Sequence, residues 1–253
     1  MILPSLKEQL CGAVIPRLAS LIHALSIATE SKFSYATITS RQSIDRGEGC
    51  SGRKLFNDKS LSLDRTIACS HCDQPANAIG DGVAYSRGIE GRLGRRNAVP
   101  LFNLAWKSSF FWDGRSPSLR DQALHPIQDE NEMNQSLEQM LDKLKQSPFY
   151  QNAFEAAYNS PEISTERVGL AIENFLLTKL SFDSKFDQSL IGQAALTAKE
   201  KRGLKLFMTE YEPRSKCFGA DCFHCHGGPL FSDQRFHNNG LDNLDGCSLT
   251  IFY

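Results

Sequence analysis

The stretch Cys222-Phe223-His224-Cys225-His226, followed by Gly227-Gly228-Pro229, constrains this chain more than any other. Two thiols three positions apart, with a histidine directly after the second, form the pattern of c-type haem attachment. The thiols add to the porphyrin vinyl groups and the next residue presents an imidazole to the iron. Cys222 and Cys225 are therefore candidate attachment points, and His226 the candidate proximal ligand. Two other readings share these thiols. A zinc site would use Cys222, Cys225 and a nearby histidine, and Cys217, Cys222, Cys225 and Cys247 have a spacing close to that of a plant-type iron–sulfur site. Zinc lacks a fourth ligand at an evident spacing and the cluster leaves His226 without a role, so haem is the reading taken forward.

A second feature is repetition. Gly52-Arg53-Lys54-Leu55-Phe56 returns as Gly203-Leu204-Lys205-Leu206-Phe207. A Cys-x-x-Cys follows each copy, Cys69 and Cys72 in one and Cys222 and Cys225 in the other, and then an aspartate, Asp81 or Asp233. Three features in matched order point to two related units, each built round its own cofactor. The copies differ where chemistry matters most, because Asp73 stands where the second copy has His226. His71 lies between the first pair of thiols and is expected to point away from an iron tethered by its neighbours. One covalent haem c, on the second motif, is the expectation.

Composition narrows the partners. A net charge of −1 gives no electrostatic reason to expect nucleic acid. Eight cysteines in 253 residues are too few for a disulfide scaffold. The apolar stretch from Leu18 to Ala28, behind Lys7 and Arg17, reads either as a secretory signal peptide or as a buried helix. No later stretch reaches the ~18 apolar residues needed for a membrane span. The Ser-, Thr- and Gly-rich segment from Ser34 to Gly52 reads as linker. The expected organisation is a signal and linker over 1–43, a first domain over 44–185 and a second over 186–253.

The rest of the pattern is helical. Leu137, Met140, Leu141 and Leu144 make one apolar stripe, with Ser136 as cap and Ser147-Pro148 as stop. Val168, Ala171, Ile172, Phe175 and Leu176 make another after Ser164, and Thr197 with Glu200 forms a capping box. Pro126 is expected to break any helix joining Gln122 to Glu132, which would let both turn into one pocket. Alternating runs long enough for a major sheet are missing, so the fold class is mainly α.

Between the repeats lie Arg96-Asn97, Phe110-Phe111-Trp112-Asp113-Gly114-Arg115, Gln122 and Glu132-Met133. In this order, between the two Gly-x-x-Leu-Phe and Cys-x-x-Cys elements, they resemble the bacterial di-haem cytochrome c peroxidases and their MauG-type relatives, from about Gly52 to Leu241. The resemblance implies two cytochrome c-like haem domains and the reduction of hydrogen peroxide by electrons passed between two haems. Trp112 would bridge the haems, Gln122 and Glu132 would lie in the peroxide pocket of the first, His226 would ligate the electron-transfer haem, and Asn97 would sit at a calcium site. A small donor protein of cytochrome c or cupredoxin type and a periplasmic location follow from the same likeness. The residue types suit the chemistry, since splitting an O–O bond needs a carboxylate to move a proton and an amide to orient the bound oxygen.

Three departures qualify the likeness. Asp73 replaces the proximal histidine. The loop from Tyr85 to Leu93 has no histidine, which leans toward the MauG-type branch. The chain stops at Tyr253, before the family's C-terminal part, so the second domain is expected to be truncated, with water, Met208 or His237 facing its iron. The alternative reading is a mono-haem electron-transfer or haem-binding protein whose first site is defunct.

Overall fold

The computed structural model describes residues 46–228 and 230–237, with side chains from residue 51 onward. The apolar stretch Leu18–Ala28 and Cys247 lie outside the described residues. The chain divides after Leu180 into two compact units.

The first unit is helical. Its elements are α1 (Arg46–Phe56), α2 (Leu119–Gln128), α3 (Leu137–Lys145), α4 (Pro148–Tyr158) and α5 (Thr165–Leu177). Short 3-10 turns punctuate the long connection from α1 to α2, among them Cys69–His71 and Leu104–Trp106. Ser136 acts as the cap expected of it, and Ser118 and Ser164 do the same: their side chains accept N–H groups of the first turns of α3, α2 and α5. Pro148 both ends the stretch after α3 and opens α4, where its missing N–H costs nothing.

Helix α1 begins inside the segment expected to be linker. The small residues there serve packing, because a Cβ on Gly52 would lie 1.9 Å from the Ala171 carbonyl oxygen of α5. Only a glycine allows the two backbones to come so close. The contact seats Leu55, which is fully buried, and Phe56, whose ring centroid is 5.2 Å from that of Phe175. Val168, Ala171, Ile172 and Leu176 of α5 and Met140 and Leu144 of α3 join the same core. Each of the larger side chains contributes roughly 1.5–3 kcal/mol by leaving water.

Pro126 does not break α2, which runs on to Gln128. A proline in a helix removes one N–H, and here the Pro126 carbonyl still accepts from Met133 N–H at 3.1 Å. The chain turns just after the helix instead. The Asp129 side chain accepts from Asn131 N–H at 2.8 Å, and its carbonyl accepts from Glu132 and Asn134. Gln135 N–H then returns to the Ile127 carbonyl at 2.7 Å. This fold-back brings Glu132 alongside the helix that carries Gln122.

The second unit holds α6 (Lys185–Leu190), α7 (Ala198–Phe207) and two two-residue antiparallel strands, β1 (Tyr211–Glu212) and β2 (Cys217–Phe218). The expected capping box is formed at α7: Glu200 N–H donates to the Thr197 hydroxyl and Thr197 N–H to the Glu200 carboxylate. Among the described residues of this unit, only Thr209 and Cys217 are buried. No described helix in either unit is long and apolar enough to cross a membrane.

Candidate functional site

The first unit encloses a cavity of about 790 Å3. Cys69 and Cys72 line it, brought there by the 3-10 turn Cys69–His71, as do Asp73, Asn97, Trp112, Gln122 and Glu132. Its apolar wall includes Phe56, Ile67, Leu101, Ile172 and Leu176, so the helix packing of the core also shapes the site. The Trp112 indole N–H donates to the Asn97 carbonyl at 3.0 Å, which ties two of the sequence candidates together. His71 does face elsewhere: it is exposed, and its Nδ1 accepts from Ala68 N–H at 3.1 Å.

Burial sets the protonation of this site. Glu132 has its pKa raised to about 7, mainly by desolvation, then by the nearby Asp129, with Arg115 pulling the other way. A carboxyl group tuned in this way can both hold and release a proton near neutrality. Asp73 is pushed well above the usual carboxylate range by burial and by Glu132 and Asp81. Desolvation and the Asp73 charge push the Cys72 thiol up to about 12 and raise Cys69 as well. The Gln122 Oε1 atom is buried and accepts no hydrogen bond from the protein. Such an orphan is costly unless a ligand supplies the donor.

These features suit a haem. The volume lies within the range of ~300–1,000 Å3 usual for cofactor pockets. The thiols stand at the wall for thioether attachment, the apolar face matches a porphyrin, and Arg87, Arg95, Arg96 and Arg115 line the cavity with positive charge for propionate carboxylates. Arg115 is held by both oxygens of Asp113 at 2.9 Å and stacks 3.6 Å over the Phe111 ring.

Sequence reasoning gave no role to these arginines or to Gly88. A Cβ on Gly88 would lie 2.0 Å from the Asn131 carbonyl oxygen, and the next N–H, of Ile89, donates to the Glu132 carbonyl at 2.8 Å. Gly88 thus lets one loop press against the backbone that presents Glu132. The cluster Arg92, Arg95, Arg96 was the available signal for the charged wall, whereas a single glycine carries none.

In the second unit the motif Cys222–His224 is again a 3-10 turn. His226 Nδ1 lies 3.3 Å from the Phe231 carbonyl oxygen. With the proton on Nδ1 the ring donates to that oxygen and leaves Nε2 free for a metal, the usual device for orienting a ligating imidazole. The other histidines are paired: His224 Nε2 lies 3.1 Å from Asp221, and His237 Nε2 lies 2.8 Å from Asp233. Phe231 meets Phe186 and Phe207 at ring-centroid distances of 5.7 and 6.1 Å. Cys217 is disulfide-bonded, which removes one thiol from the iron–sulfur reading. Cys225, Asp233 and His237 place one donor atom each within 4.8 Å of one another, a grouping that shares its thiol with the haem motif.

Comparison with known proteins gives this geometry its context. The family model of the di-haem cytochrome c peroxidases matches residues 51–195. The methylamine utilization protein MauG of Methylorubrum extorquens is 35% identical over 192 residues, 75% of this chain and 52% of that protein. The cytochrome c551 peroxidase of Pseudomonas aeruginosa is 34% identical over 193 residues, 75% of this chain and 53% of that protein. Among solved structures, a MauG-like protein associated with microbial copper homeostasis has a TM-score of 0.68 at 31% identity, covering 79% of this chain and 60% of that one. The chain spans about half the length of these two curated relatives. With a matched family model across more than half its length and relatives above 30% identity over three quarters of it, the chain belongs to the di-haem cytochrome c peroxidase family.

Proposed function

We propose that the chain works as a peroxide-reducing oxidoreductase, in which two electrons and two protons convert hydrogen peroxide to two waters. The observation that carries this is the first-unit cavity, where a carboxyl with a pKa near 7 and an amide oxygen without a protein donor share one wall system with a thiol pair. When bound, haem supplies the redox chemistry. Cys69 and Cys72 would hold it in the first unit, and Cys222, Cys225 and His226 in the second. Gln122 orients the bound peroxide through its amide. Glu132 would take a proton from one peroxide oxygen and give it to the other as the O–O bond breaks. Trp112 offers an indole able to carry an electron on the path between haems.

The relatives' names support peroxide as substrate, and family likeness supports a periplasmic setting, a small cytochrome c or cupredoxin donor and calcium at Asn97. A MauG-type role, oxidising another protein, is compatible with the same site. Asp73 is the observation that favours the mono-haem reading. Steady-state oxidation of a reduced small c-type cytochrome by hydrogen peroxide tests the proposal. Glu132→Gln should lower turnover by ~10²–10⁴ while leaving the haem content unchanged. A fully haem-loaded chain without peroxide turnover, or a Glu132→Gln variant as active as its parent, would overturn it.

A further inference from the structure

The two thiol loops share a backbone and differ in the residue that ends them. Each opens with a 3-10 turn on its first cysteine. The second cysteine is right-handed helical in both, with φ −93° and ψ −24° at Cys72 and φ −98° and ψ −33° at Cys225. The following N–H donates to the carbonyl of the first cysteine, over 3.1 Å from Asp73 to Cys69 and 2.9 Å from His226 to Cys222. Asp73 therefore leaves the main chain as His226 does.

The side chain of Asp73 lines the cavity beside both thiols. Among the described residues its carboxylate accepts no hydrogen bond, and the charges that act on it are the carboxylates of Glu132 and Asp81. A half-buried carboxylate that lines a cavity, faces like charges and has no donor is a group without its cation. His71, the imidazole of this loop, is exposed and bonded to Ala68.

We propose that Asp73 supplies the protein ligand to the iron of a haem held by Cys69 and Cys72, a carboxylate oxygen in the position where the second unit uses an imidazole nitrogen. This rests on the di-haem reading above. A carboxylate is a hard, anionic donor, so it favours ferric over ferrous iron relative to imidazole. The first haem should then rest ferric and high-spin and be the harder of the two to reduce.

The full chain matured in an exporting, haem-attaching bacterium gives the test. Peptide mapping with intact mass after denaturation counts the covalent haems, and ferric electron paramagnetic resonance and a reductive titration compare the parent with Asp73→Ala and Asp73→His. We expect two haems in the parent, one on the Cys69–Cys72 peptide. Asp73→Ala should alter the ferric signal of one haem and leave the other as it was. Asp73→His should make the altered haem reducible at a higher potential. Two haems with signals unmoved by Asp73→Ala overturn the ligand assignment and leave the di-haem reading standing. A single haem, on the Cys222–Cys225 peptide, overturns both and selects the mono-haem protein. Circular dichroism of each variant checks that the helical first unit persists.

Discussion

The same pentapeptide meets two environments in this molecule. Leu55, in the first copy, is 0% exposed, whereas Leu206, at the matched position of the second, is 43% exposed. Phe56 packs on Phe175 inside a core drawn from five helices, while Phe207 meets Phe231, itself 45% exposed. The first unit closes a core of its own and leaves a cavity within it. The described part of the second turns Phe182, Leu206, Phe231 and Phe236 toward solvent. A flat, apolar prosthetic group is the natural cover for such rings, so on the proposed reading a haem would fill a finished site in the first unit and would complete the core in the second.

Haem removal gives the largest expected effect. The double substitution Cys222→Ser with Cys225→Ser, or a chain made without haem attachment, should leave α1 to α5 folded and open the segment 181–237 to proteolysis. Mass mapping of the first cleavage sites reads this directly. Cuts spread evenly over both units would break the comparison.

The matched leucines come next. Leu55→Ala should cost ~2–5 kcal/mol, the range for a large-to-small change in a packed core. Leu206→Ala in the haem-free chain should stay within ~0.5 kcal/mol, as for a surface position. Denaturant midpoints of the first unit measure the former, and the two values should converge only if the units share a single core.

Gly88→Ala sharpens the contrast within the first unit. Relieving a 2.0 Å approach to the Asn131 carbonyl requires the loops to part, which shifts Glu132. A cost of ~1–3 kcal/mol is expected, in the range of core overpacking. Peroxide turnover should fall further than Tm alone explains. An unchanged turnover would show that Glu132 is not held from this side.

Much of this was legible in sequence, for local reasons. Ser118 was not singled out, but Ser136, Ser164, Thr197 and the apolar stripes of α3 and α5 followed from spacing, because caps and helical faces are set by near neighbours. The start of α1 was not legible. Gly52 resembles linker until the Ala171 carbonyl, more than a hundred positions away, is seen against it. The convergence of Gln122 and Glu132 was expected for the wrong reason. Pro126 stays inside α2, and the turn that returns Glu132 is made by Asp129 and Asn134, the latter at φ +47°. Gly88 and the arginine wall depend on three-dimensional proximity, which spacing alone does not encode.

A pH dependence near neutrality also separates the first unit from the second. Glu132 ordinarily titrates near 4.5 and here near 7, because burial disfavours its charged form and Asp129 adds repulsion. A carboxyl whose pKa is higher when folded binds its proton more tightly in the native state, so it favours folding fully below the unfolded value. That contribution is lost as pH rises from about 4.5 through about 7. Asp73, raised in the same direction by burial and by Glu132 and Asp81, adds to the loss at the acidic side of the same window or beyond it. The haem-free first unit should therefore lose stability between these pH values, and Glu132→Gln should flatten the curve by removing the ionisation. In the second unit, Asp233 shifts the opposite way: Arg235 N–H and His237 hold it below the usual carboxylate range, so its contribution is present above about 3.8 and falls away only in more acidic solution. Chemical denaturation at several pH values, read on the fluorescence of Trp106 and Trp112, measures the first trend. A Glu132→Gln variant with the parent's slope would place the proton elsewhere, on Asp73, and Asp73→Asn then decides whether the two carboxyls share it.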